Sequence, residues 1–246
     1  MSLLRLIARL DIKGPNVVKG INFEGLRVIG DPAALAEKYC HSADELLYID
    51  TVASLYGRNQ LGELLERTCE EVFIPVTVGG GIQSVQDARK LLNAGADTIA
   101  VNTAALKRPD LINELAGHFG SQAVVVSIEA KRVNGHWEAF TDNGRERTGV
   151  NAVDWAFEAV ERGAGEILLT SIDCDGTQRG PDTALIERVR SLPVPVAYGG
   201  GIASARDAAL ALSAGADALA IGSALHYGKI DIKQLREELR IPGRTS

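Results

Sequence analysis

Short apolar runs alternate with amphipathic stretches from one end of the chain to the other. The runs at residues 4–10, 45–49, 75–78, 98–101, 123–128 and 166–170 have the length and composition of buried parallel strands. Between them, apolar residues recur at helical spacing behind good N-caps. Asp31 precedes Pro32 and a helix to about residue 40. Residues 61–68 and 109–118 read as helices, Asn151 caps one through 162, and further helices are predicted over 182–191 and 231–239.

One stretch occurs twice. Residues 74–101 and 194–221 share the order strand, three glycines, helix, glycine, strand, and Gly79 and Gly199 stand 120 positions apart, about half the chain. In the first copy Ser84 is the predicted N-cap, Val85, Ala88, Leu91 and Leu92 form the apolar stripe, and Gly95 ends the helix. The second copy supplies two more strands, for eight strands alternating with eight helices. Such alternation predicts parallel strands, and eight units close as a (β/α)₈ barrel. The expected architecture is one domain over 1–246, built of half-barrels at about 1–120 and 121–246. A doubly wound open sheet is the competing reading; the repeat and the lack of a G-x-G-x-x-G turn weigh against it.

A glycine turn that leads into a helix offers free amides to a phosphate, and two turns suggest two phosphates. Helix–strand packing alone would also explain the glycines. Residues 12–30 and 130–149 read as long loops, the second with a hairpin signal at Asn134-Gly135. A net charge of −6 argues against nucleic acid or an anionic membrane as partner. Three cysteines without a CxxC pair suit a reducing, cytoplasmic setting. The four histidines have no metal-ligand spacing, so neither metal nor cofactor is expected. No long apolar leader or membrane-length run is present.

Chemistry in such a barrel belongs at the C-terminal strand ends. Asp11 and Glu129 close strands one and five, 118 positions apart, at equivalent places in the two halves. Opposed carboxylates can divide acid and base roles if their surroundings separate their pKa values. Helix capping is the favoured role for Asp50. Asp173 and Asp175 could serve ribose binding, catalysis or a structural turn.

With these residues in view, the chain resembles the cyclase subunit of imidazole glycerol phosphate synthase over essentially its full length. The match rests on Leu10-Asp11, Val18-Lys19-Gly20, Gly30-Asp31-Pro32, Ala53-Ser54, Gly57-Arg58, Gly95-Ala96-Asp97, Ala130-Lys131-Arg132 and Asp175-Gly176-Thr177, among others. The resemblance implies a lyase/cyclase that takes ammonia from a glutaminase subunit docked beneath the barrel. It closes and cleaves a bisphosphorylated aminoimidazole carboxamide ribonucleotide in histidine biosynthesis.

The resemblance also implies site residues. Catalysis falls to Asp11 and Glu129, and a loop lysine to Lys19. One phosphate goes to Gly81, Asn102 and Thr103. The other goes to Asp175, Gly176, Gly200, Gly201 and Ser223, with Ser171 close by. Arg5, Glu45 and Glu166 match an ammonia gate whose fourth member, a lysine in the family, is Thr98 here. Glu129 replaces an aspartate, Arg9 a cysteine and Tyr198 a small residue. These departures resemble a branch of cyclase-like proteins of amino-sugar and surface-polysaccharide pathways, an alternative with a different phosphorylated sugar or nucleotide sugar as substrate. A non-catalytic docking subunit is the third reading.

Overall fold

The structure is a computed structural model that describes residues 4–53, 61–69 and 72–240. Ser54, Gly57 and Arg58, which carry part of the family resemblance, lie outside the described residues.

Eight parallel strands close into a barrel. In order around the ring they are β1 (Arg5–Lys13), β4 (Glu45–Asp50), β5 (Val76–Gly79), β6 (Thr98–Val101), β7 (Val124–Val133), β10 (Glu166–Ser171), β11 (Val196–Gly199) and β12 (Ala218–Ile221). The ring shuts where Arg5 and Ile7 of β1 pair with Ala218 and Ala220 of β12. The predicted (β/α)₈ barrel is therefore what the chain forms, with β1 and β7 facing each other across it.

Around the ring lie α1 (Pro32–Cys40), α2 (Leu61–Cys69), α3 (Val85–Asn93), α4 (Thr103–Lys107), α5 (Asp110–Phe119), α6 (Ala152–Glu161), α7 (Thr183–Val189), α8 (Ala205–Ala214), α9 (Ser223–His226) and α10 (Ile232–Glu238). The caps at Asp31, Ser84, Asn151, Asp182, Ser204 and Asp231 each accept a backbone amide of the first turn. The short helices α4 and α9 escape sequence reading because four or five residues show no periodicity.

Two expectations about loops need correction. Residues 12–30 are a hairpin, β2 (Asn16–Ile21) and β3 (Glu24–Gly30), that continues β1 through Ile12–Val17 pairing. The second long segment holds two strands, β8 (His136–Thr141) and β9 (Glu146–Asn151), on the extended β7. Turns at Asn22-Phe23 and Asn134-Gly135 use left-handed backbone. Asp11 and Glu129 thus lie within long strands at the rim, two and four residues before the strands end. The β7–β8 turn at Asn134-Gly135 is the hairpin that the sequence signalled, whereas the pairing of β2, β3 and β9 beyond the barrel is not displayed by local composition.

Side chains alternate between two apolar clusters. Leu6, Ala8, Leu10, Leu46 and Tyr48 face the helices, whereas Ile7, Leu47, Ala100, Val125, Leu168, Ala197, Ala218 and Ala220 fill the barrel interior. Tyr198 belongs to the outer set, and its hydroxyl accepts the Asp182 amide at 2.8 Å. It caps the approach to α7 and stays out of the barrel mouth.

Candidate active site

At the C-terminal rim the two carboxylates sit in opposite electrostatic settings. Asp11 is 5% exposed and is gripped from two sides. Arg9 Nε donates to Oδ1 at 2.8 Å and Lys19 Nζ donates to Oδ2 at 2.7 Å. Burial alone would raise its pKa, but the two cations outweigh burial and hold the group well below the usual carboxylate range. Lys19 also meets Asp175 at 2.9 Å, and the Arg9 guanidinium reaches Thr170 Oγ1 at 2.9 Å.

Glu129 is equally buried, and no cation among the described residues pairs with its carboxylate. Its Oε2 accepts the Gly144 amide at 2.8 Å. Burial pushes its carboxyl up to about 7; Arg9 and the Gly144 amide pull it down, while Asp11 and Asp175 push it further up. One carboxyl is therefore locked as an anion, and the other exchanges a proton near neutrality. That separation is what a shared acid–base site requires.

The hairpin that carries Lys19 is docked over the mouth. Asn22 donates its backbone amide to Asp175 O at 2.8 Å and its side-chain amide to Ile172 O at 2.6 Å. Phe23 packs with Phe140 and Ile172, joining the two hairpins. Gly176 permits this approach: a Cβ there would lie 2.2 Å from Gly20 O.

The two glycine turns differ in what they leave open. Beside the first is a cavity of about 430 Å³, lined by Asp50, Gly80, Gly81, Asn102, Thr103, Lys107, Arg108, Glu129 and Asn143 among others. Asn102 Oδ1 and Asn143 Nδ2 are buried there without a hydrogen-bond partner among the described residues, and Lys107 and Arg108 supply positive charge. Beside the second, Asp175, Gly176, Gln178, Gly200, Gly201 and Ser223 surround only about 20 Å³. Asp50 behaves as a cap: its Oδ1 accepts the amides of Val52 and Ala53. Asp173 accepts the Arg132 amide at 2.7 Å.

At the opposite end of the barrel, Arg5 bridges Glu45 at 2.9 Å and Glu166 at 2.6 Å. Thr77 donates to Glu45 at 2.5 Å and is itself hydrogen-bonded to Thr98. The four gate positions named from sequence are thus in one cluster, with Thr77 joining Thr98 to the rest.

A family described as "Histidine biosynthesis protein" matches residues 5–231. A Legionella pneumophila protein, imidazole glycerol phosphate synthase subunit HisF, is 60% identical over 205 residues, covering 82% of this chain and 97% of that one. The HisF subunits of Streptomyces griseus subsp. griseus and Thermobifida fusca are 48% and 47% identical, each over 98% of this chain and 97% of theirs.

The chain belongs to the HisF family, the cyclase subunits of imidazole glycerol phosphate synthase.

HisF membership makes the chain a lyase/cyclase of histidine biosynthesis and implies a synthase complex. No helix among the described residues is long and apolar enough to cross a membrane. Within this HisF-type barrel, some functional candidates escaped sequence reading. Lys107, Arg108 and Asn143 line the open cavity, and Gly144 holds Glu129. Only the strand-end position of α4 and the Asp142-Asn143-Gly144 turn signal hinted at them. Arg9 was visible as a charge inside a strand, but its reach to Asp11 and Thr170 is a tertiary fact.

Proposed function

We propose that the barrel works as one domain that binds the substrate by its two phosphates across the mouth, with Asp11 and Glu129 carrying the chemistry between them. The reaction is ring closure and lyase cleavage with ammonia. Its substrate is the bisphosphorylated ribulosyl-formimino aminoimidazole carboxamide ribonucleotide. The opposed protonation states of the two carboxyls carry this reading. Glu129, half protonated near pH 7, gives a proton to the substrate atom where negative charge develops, and takes it back later. Asp11, held ionised, faces the attacking nitrogen as acceptor and stabilises the positive charge that nitrogen gains.

The open cavity at Gly81, Asn102 and Thr103, with Lys107 and Arg108 at its wall, supports the first phosphate. The turn at Gly200-Gly201 with Ser223 supports the second, and Lys19 of the docked hairpin lines the adjoining groove together with Ser223. A glutaminase subunit docked at the Arg5, Glu45 and Glu166 end is the proposed ammonia source, in a heterodimer. Kinetics with an ammonium salt as nitrogen source test the assignment without the partner. Asp11→Asn and Glu129→Gln should each lower kcat about 10²- to 10⁴-fold with little change in KM. Near-full activity in both variants would overturn it.

A second reading, ammonia-dependent chemistry on another phosphorylated sugar or nucleotide sugar, is favoured by two observations. The Arg9 guanidinium crosses the interior just below Asp11, and the second cradle is nearly filled. Complementation of a cyclase-deleted histidine auxotroph separates the two: rescue supports the first reading, and failure with soluble protein supports the second.

A further inference from the structure

The two anion cradles have the same backbone design but not the same access, and one side chain makes the difference. Gln178 Nε2 donates to Ser223 Oγ at 3.0 Å, across the second cradle. The space left is about 20 Å³, about enough for one water, so a phosphate cannot enter beside it. Gln178 also holds left-handed backbone, φ 56°, where a glutamine is strained. On its other side it borders a groove of about 610 Å³ lined by Gly20, Arg27, Thr177 and Tyr227 among others. The side chain therefore has somewhere to go. Among the described residues none in the first cradle plays this part: the cavity there is already open.

We propose that Gln178 is a specificity-determining latch, closing the second phosphate cradle through Ser223 and turning outward into the adjacent groove when a phosphate arrives. The proposal rests on the reading of that cradle as a phosphate site. Its consequence is a preference for one ligand carrying two phosphates over two separate phosphates. A free phosphate must break the Gln178–Ser223 contact at its own low concentration. A phosphate tethered to a ligand already held in the first cradle arrives at a high effective concentration and opens the latch readily.

The test is titration of the full chain with inorganic phosphate, followed through the backbone amide signals of Gly81 and Thr103 and of Gly201 and Ser223. In the natural protein the first pair should saturate at lower phosphate than the second. Gln178→Gly suits the backbone and removes the latch. It should tighten the second site about 3- to 10-fold, as expected for releasing one side-chain hydrogen bond, and leave the first unchanged. Gln178→Glu keeps a partner for Ser223 but puts negative charge over the cradle, and should abolish second-site binding only. Second-site affinity that is unchanged or weaker in Gln178→Gly overturns the latch while leaving the cradle assignment standing. Amide signals at Gly201 and Ser223 that ignore phosphate in every variant overturn the cradle assignment, and the latch with it.

Discussion

Replacing Glu129 by glutamine should stabilise the protein in a way that depends on pH. The carboxyl titrates near 7 in the folded chain against an ordinary 4.5, chiefly because burial disfavours its anion. Between those values the folded state holds a proton that the unfolded state has released. The stability this group contributes is therefore intact below pH 4.5 and is lost as pH rises through 7. At about 1.4 kcal/mol per pH unit across that interval, the loss approaches about 3 kcal/mol by pH 8. Glutamine has nearly the same shape, can still accept the Gly144 amide and does not ionise. Urea unfolding of both proteins at several pH values between 5 and 8.5 isolates the effect, since Asp11, Asp175 and Arg9 are common to both and cancel in the difference. The variant should match or fall slightly below the natural protein at pH 5 and exceed it by about 2–3 kcal/mol at pH 8.5. A difference that stays constant with pH would refute the reasoning, because Glu129 would then titrate alike folded and unfolded.

Arg9→Met removes one of the two cations that hold the buried Asp11 and leaves Lys19, and a loss of about 3–5 kcal/mol in denaturant unfolding is expected; a loss under 1 kcal/mol would show the pair to be dispensable. Gly201→Ala should cost far more than Gly14→Ala, although both have positive φ. An added Cβ would lie 1.9 Å from Gly180 O at the first position and meet nothing within 4 Å at the second. Thermal melts of the two variants should separate by several degrees, and coincident melts would show that the Gly180 loop yields freely. Thr77→Val removes the hydroxyl between Thr98 and Glu45, and about 1–3 kcal/mol should be lost at pH 7; unaltered stability would mean that these hydroxyls do not support the Arg5–Glu45–Glu166 cluster. His226, 2.9 Å from the Tyr39 hydroxyl, is pushed down to about 4 by burial, so it must bind a proton on unfolding below pH 6.5. His226→Gln should flatten the acid limb of stability between pH 6.5 and 4, and an unchanged limb would place its titration at the ordinary value.

The barrel was legible in the chain because its determinants are local and repeated. A buried strand needs a short apolar run, a helix needs a cap and a 3.6-residue stripe, and eight such units in alternation leave one economical closure. Ser84 caps its helix as read, and its repeat counterpart Ser204 does the same, each accepting the amide of an aspartate three residues on. The opposed positions of Asp11 and Glu129 were readable too, since the first and fifth of eight strands in a closed ring lie across it from each other.

What the chain could not display was decided by contacts between distant residues. The hairpin at 16–30 forms because β1 offers it an edge, and it stays over the mouth because Asn22 finds carbonyls 150 residues away. The division of protonation between Asp11 and Glu129 depends on which carboxylate Arg9 and Lys19 reach, a matter of ångströms. The two glycine turns read alike in sequence, yet one opens on a cavity and the other is shut by Gln178. Backbone pattern is written in neighbours along the chain, whereas charge state and access are set by neighbours in space.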